Sequence, residues 1–186
     1  MSKKLPDPLT PDERAALLRV PNRRYLSGLR NLVMMRIMLD AGLRCAEVLA
    51  LRVAHVDLNT GKLFVREGKG KKDRALWLNP ETLALLQEWR ERRPNQGELY
   101  FTTCNGDPIN SRYLRAMMER YSERAGLNRH CSPHTLRHTF ATDIYKQTRN
   151  LELVRRMLGH RFLSTTAIYL HVADPEVEEA MKSFRV

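Results

Sequence analysis

The chain has 186 residues, one domain's worth, and a chain of that length buries about 70% of its unfolded surface. Its 32 Lys and Arg against 21 Asp and Glu leave a net charge of +11, spread over nearly every segment, which describes a folded basic surface suited to nucleic acid. Three cysteines without a CxxC pair argue against a disulfide scaffold or a cysteine zinc site, and no apolar run approaches the roughly 20 residues that span a bilayer, so a soluble, cytoplasmic protein without membrane contact is expected.

Residues 1–9 carry two prolines and two lysines and read as an N-terminal arm; everything from residue 10 to 186 reads as one domain. Thr10-Pro11-Asp12-Glu13 is a complete helix start, with a cap, a first-turn proline and a Glu placed to close a capping box; that helix should reach about Val20. From Tyr25 to Ala41 the pattern is apolar on several faces, which predicts a helix at the centre of the core. Gly42 ends it, and Leu43 to Leu51 begins another helix with Arg44 and Glu47 in its first turn.

Alternation of Leu63/Val65 in Lys62–Glu67 and of Ala75/Trp77 in Arg74–Leu78 predicts a hairpin turning at Gly68-Lys69-Gly70-Lys71-Lys72-Asp73, with a third short strand near Val56 beside it. Asn79 caps a helix ending near Arg93, Asn110 caps one over Ser111–Ala125, and Asn150 caps one over Leu151–Leu158, stopped by Gly159. A short helix around Thr165–Tyr169 and a final helix over 174–184 complete the chain. The expected fold is mainly α (α+β), with one small antiparallel three-stranded sheet.

Ser132 to Tyr169 carries the chemistry. Ser132 can cap a helix and Pro133 suits its first position, which sets His134 and Arg137 three apart on one face. A fixed cation and a proton carrier stand together there, and Tyr169 adds a phenol able to act as a nucleophile. Such a set suits attack on a phosphodiester. His134 and His138, four apart, also have the spacing of two metal ligands on a helix, but Thr135 stands where a zinc protease has Glu and no third ligand is evident, so neither a metal nor a cofactor is expected.

Ala41-Gly42-Leu43-Arg44-Cys45-Ala46-Glu47, Gly68-Lys69-Gly70, His134-Thr135-Leu136-Arg137, Leu158-Gly159-His160 and Tyr169 together resemble the tyrosine recombinase (phage integrase) family, in its order and close to its spacing. The resemblance runs from about Thr10 to the C-terminus, the family's catalytic domain. It implies a site-specific recombinase that cuts and rejoins DNA by transesterification through a 3′-phosphotyrosyl intermediate, in integration, excision or inversion. Tyr169 would be the nucleophile. Arg44 and Arg137 would hold the non-bridging oxygens through paired hydrogen bonds, with Glu47 orienting Arg44. Lys69 would protonate the leaving 5′-oxygen, His134 would exchange a proton with the tyrosine, and His160 would donate to the phosphate.

Double-stranded DNA is the implied partner, gripped by Lys71, Lys72 and Arg74 of the hairpin and entered by Arg112 and Arg115 near a helix start. In the family such a tail helix often docks on a neighbouring copy, with folding back onto its own domain as the alternative. The resemblance implies a homo-oligomer on DNA, a tetramer during strand exchange. A type IB topoisomerase uses a similar residue set and is the enzyme alternative. A DNA-binding module without catalysis is the alternative from another class.

Overall fold

The computed structural model describes residues 7–66, 73–94, 97–160 and 166. Seven helices and three strands lie among them: α1 (Pro11–Arg19), α2 (Leu26–Asp40), α3 (Cys45–Leu49), β1 (Val56–Asp57), β2 (Lys62–Val65), β3 (Arg74–Trp77), α4 (Pro80–Arg92), α5 (Ser111–Arg124), α6 (Pro133–Thr148) and α7 (Leu151–Leu158). The sheet order is β1-β2-β3, antiparallel throughout, with Leu63 opposite both Val56 and Leu76. This is the mainly helical architecture with a small sheet that the sequence predicts. No helix among the described residues is long and apolar enough to cross a membrane.

Local chemistry starts the helices. Thr10, Asn79, Asn110, Ser132 and Asn150 each accept the backbone N–H three residues on, which satisfies a donor the first turn leaves open. α2 is the hub: from Gly28 to Leu39 every residue but Arg36 is buried, because α4 and α6 both pack on it. A helix apolar on all sides can only be stable when surrounded in this way. Phe140, Ala141, Tyr145, Val154 and Leu158 form a smaller core that fixes α7 against α6.

β2 turns its expected Leu63/Val65 face inward, but in β3 the Ala75/Trp77 alternation is reversed, because Leu76 is the residue that pairs with Leu63. Leu63, Val65 and Leu76 face the core, whereas Phe64 and Trp77 stay exposed with the Lys62 ammonium over both rings. The hairpin turn with Lys69, Lys71 and Lys72, the helix expected around Thr165–Tyr169 and the tail helix expected over 174–184 lie outside the described residues.

Residues 7–9 depart from the expected arm. Leu9 is buried and its N–H donates to Thr139 Oγ1 at 2.9 Å. Arg129 donates to the carbonyls of Asp7 and Pro8 while its fork holds Glu13. An apolar side chain at position 9 and a cation 120 residues downstream together dock this stretch onto α1 and α6.

Candidate active site

Two turns build the site. At Gly42 the chain leaves α2 in a left-handed conformation (φ +63°), and a Cβ there would sit 2.3 Å from the Phe140 ring. Arg44 follows as the N-cap of α3, not inside its first turn as its sequence suggests. Glu47, at the third helical position, reaches back to the Arg44 N–H at 2.7 Å, half of a capping box, and its other oxygen accepts from the Arg44 guanidinium at 2.7 Å.

The second turn ends α7. Gly159 is again left-handed, Gly159 N–H bonds Arg156 O and His160 N–H bonds Arg155 O, the paired pattern of a Schellman turn. That pattern leaves the next three carbonyls for other donors, and three arginines take them. Arg74 Nε donates to Met157 O at 2.8 Å, Arg137 Nη2 to Leu158 O at 2.7 Å, and Arg44 Nη2 to Gly159 O at 3.4 Å. Arg137 also donates to Gly42 O, so it ties the two turns together.

Glu47 lies among the same three cations. Arg74 grips both carboxylate oxygens, at 3.0 and 2.8 Å, and Arg137 approaches to 3.7 Å. Burial would raise this carboxyl, but the Arg74 hydrogen bond and charge, the Arg44 N–H and the Arg137 charge outweigh it and hold its pKa at about 2. Glu47 is therefore ionised at neutral pH.

His160 completes the cluster. Its Nε2 lies 3.2 Å from Arg137 Nη2 and its Nδ1 lies 3.0 Å from the buried Thr166 hydroxyl. Arginine can only donate, so Nε2 accepts and the proton sits on Nδ1, facing Thr166. Burial, then the charges of Arg137, Arg44 and Arg74, push the ring's pKa down to about 4. With His160 neutral, three guanidinium charges against one carboxylate leave a local surplus of +2. Such a surplus can attract an anion, and Arg44, 31% exposed, is the side open to one.

Several site residues stand differently from their sequence reading. His160 spends its ring proton on Thr166 and accepts from Arg137, rather than presenting a donor outward. Arg74, expected to grip DNA from the hairpin, has a side chain only 7% exposed, because Glu47 and Met157 O draw it inward. His134 is exposed on the first turn of α6 whereas Arg137, one turn later, is 4% exposed. His138 is buried, which pushes its pKa down, so the two histidines lie at different depths. Among the described residues no three His, Cys, Asp or Glu side chains converge on a metal-sized point.

Arg112 and Arg115 are both exposed on the first turns of α5. Arg115 folds back on Ser111, 3.2 Å from its carbonyl and 3.0 Å from its hydroxyl. α5 packs on α3, and the Arg115 charge opposes the upward push of burial on the Cys45 thiol. Lys69, Lys71, Lys72 and Tyr169 lie outside the described residues. Sequence reasoning missed the roles of Gly42, Met157, Leu158 and Thr166. Only the glycine carries a signal, its place between two helices.

Comparison with known proteins bears on this geometry. The model of the phage integrase family matches residues 8–176. Tyrosine recombinase XerD of Staphylococcus aureus is 33% identical over 189 residues, covering 98% of this chain and 63% of the relative. XerD of Ralstonia nicotianae is 35% identical over 176 residues, covering 91% of this chain and 57% of the relative. The chain thus spans about three-fifths of the length of the curated relatives it matches. Among solved structures, XerA recombinase superposes with a TM-score of 0.83 at 26% identity, covering 99% of this chain and 68% of that one. XerH site-specific recombinase, bound to a palindromic difH substrate in a post-cleavage complex, superposes with a TM-score of 0.80 at 33% identity, covering 97% and 54%.

Proposed function

The chain belongs to the phage integrase family, and from that premise we propose that it cuts and rejoins duplex DNA at specific sites, by transesterification through a 3′-phosphotyrosyl intermediate. The observation that carries this reading is the surplus of positive charge where Arg44, Arg74 and Arg137 meet one ionised carboxylate. In-line attack on a phosphodiester places extra charge on the non-bridging oxygens, and preorganised donors aimed at such charge contribute about 3 kcal/mol each. Arg44 and Arg137 are the donors assigned to those oxygens.

Tyr169 is the assigned nucleophile. Of the five other tyrosines, Tyr145 is packed between α6 and α7, Tyr100 donates to Leu86 O, Tyr121 accepts from Asn31 and Tyr113 lies against Arg30. Tyr25, though exposed, caps the end of α2 away from Gly42. His134, exposed at the start of α6, is free to meet an incoming hydroxyl and take its proton. Lys69 would return a proton to the departing 5′-oxygen. The phosphotyrosyl ester keeps the energy of the broken bond, so rejoining needs no nucleotide cofactor.

Duplex DNA carrying a recombination site is the proposed substrate, with Lys71, Lys72, Arg112 and Arg115 on its backbone or grooves. Copies of the chain would assemble on paired sites, as a tetramer during exchange, within a soluble cytoplasmic setting. A nicked duplex, which traps the covalent intermediate, tests the proposal. Wild-type protein should form an adduct mapping to Tyr169, and Tyr169→Phe should bind DNA but form none. An adduct in the Phe variant would overturn the assignment.

A further inference from the structure

We infer that Arg74 is a positioning residue for the phosphate clamp and not one of its DNA contacts. The inference rests on the function proposed above and assigns a part in it to a side chain that reads, in sequence, as a hairpin cation. Three observations carry it. The side chain is 7% exposed, its fork takes both oxygens of Glu47, and its Nε takes Met157 O. Arg74 opens β3, so one residue joins the sheet to α3 and to the end of α7.

Each of those attachments leads to a clamp residue. Glu47 Oε1 accepts from the Arg44 guanidinium and Oε2 from its backbone N–H, so the plane of the carboxylate fixes where Arg44 points. Arg74 holds that plane from the other side. Met157 O is followed by the carbonyls that hold Arg137 and Arg44, so an arginine on the first of three acceptors also steadies the other two. A planar fork can bridge two oxygens and still spare its Nε, whereas an ammonium is a point donor. Lysine at position 74 therefore keeps the charge and loses the alignment.

The test compares wild type, Arg74→Met and Arg74→Lys on one nicked duplex, with a second duplex carrying a methylphosphonate at the scissile position. That substitution removes one charged non-bridging oxygen and lowers the demand on the clamp. On the phosphodiester both variants should cleave about 100-fold more slowly, the scale of a misplaced catalytic group. On the methylphosphonate the gap from wild type should shrink at least severalfold. Affinity for uncleaved DNA and its dependence on salt should match wild type. A direct phosphate contact would instead lower the log–log salt slope by about 0.9, and that result would overturn the inference. So would cleavage at the wild-type rate, or an equal loss on both substrates, which marks a general folding defect.

A second measurement does not depend on activity. NMR titration of Glu47 and His160 should show both pKa values rising in Arg74→Met from about 2 and about 4, because the Arg74 charge helps to depress each. Unmoved values would show that Arg74 does not anchor Glu47. If wild type forms no adduct on any DNA, the recombinase reading fails, and the titration still decides the anchoring. Should the Met variant not fold, Arg74→Lys, which keeps the charge, carries the kinetic comparison.

Discussion

The Nε2 of His160 faces Arg137 Nη2 at 3.2 Å and accepts from it, so an uncharged imidazole is built into a cluster of cations. Such a ring ties protonation to folding. The unfolded chain takes this proton near pH 6.5 and the folded chain only near pH 4. Between those values the unfolded state binds more protons, so stability rises with pH across the window and is lost as pH falls from about 6.5 to about 4. His160→Gln should flatten that part of the curve. Urea midpoints measured between pH 7 and pH 4.5 should therefore change less in the variant than in wild type. His55 and His138, also depressed by burial, keep their own share of the slope in both proteins.

Glu47 has the opposite protonation behaviour. With its pKa held at about 2, its contribution is complete above about pH 4.5 and is lost as pH falls toward 2. Glu47→Gln removes the charge at every pH and leaves the nearly buried Arg74 and Arg137 side chains without their shared carboxylate. Removing one partner from such a cluster costs about 3 kcal/mol or more. Chemical denaturation at pH 7 should register that loss, and DNA cleavage should fall with it as Arg44 loses its guide.

Gly42→Ala probes the first turn. Its positive φ costs an L-residue about 1–2 kcal/mol, and the new methyl would collide with Phe140. Together these should cost about 3 kcal/mol and lower the melting temperature by roughly 10 °C. Because Gly42 O also accepts from Arg137, cleavage should weaken more than DNA binding does.

Binding to duplex DNA should weaken steeply with salt, by about 0.9 in log–log slope per phosphate neutralised. Arg112→Ala and Arg115→Ala should each narrow the difference between a preferred site and random duplex by about 1–3 kcal/mol, the size of a base-edge contact. Fluorescence anisotropy on both duplexes at several salt concentrations measures this. An equal weakening on both duplexes, with a lower slope, would assign these arginines to phosphates instead.

Features set by neighbours in sequence were legible and those set by distant partners were not. Caps at Thr10, Asn79, Asn110, Ser132 and Asn150 stand where the sequence puts them, because a cap needs only the next three residues. In β2 the inward Leu63 and Val65 follow from alternation, whereas in β3 the pair Ala75/Trp77 misleads and Leu76, opposite Leu63, is the inward residue. The inward turn of Arg74 depends on Glu47, 27 residues earlier, and on Met157, 83 residues later, and no local pattern announces either. A basic stretch in a hairpin reads as solvent-facing until its carboxylate is found. Residues 7–9 escaped in the same way: a proline-rich start reads as an arm, and its docking depends on Thr139 and Arg129, more than 120 residues later.

The end of α7 gives each of three arginines a backbone oxygen, and a backbone oxygen has no proton to gain in acid and no side chain to lose by mutation. Protonating Glu47 would remove one anchor and leave these three in place, reinforced by the negative end of the α7 dipole. Substitutions at Met157 or Leu158 would change what packs beneath the turn, yet the acceptors would stay. Only the turn itself moves all three at once, and the turn depends on the left-handed backbone of Gly159. Part of the clamp's counter-charge is thus written in a dihedral angle, where neither pH nor most codon changes can reach it.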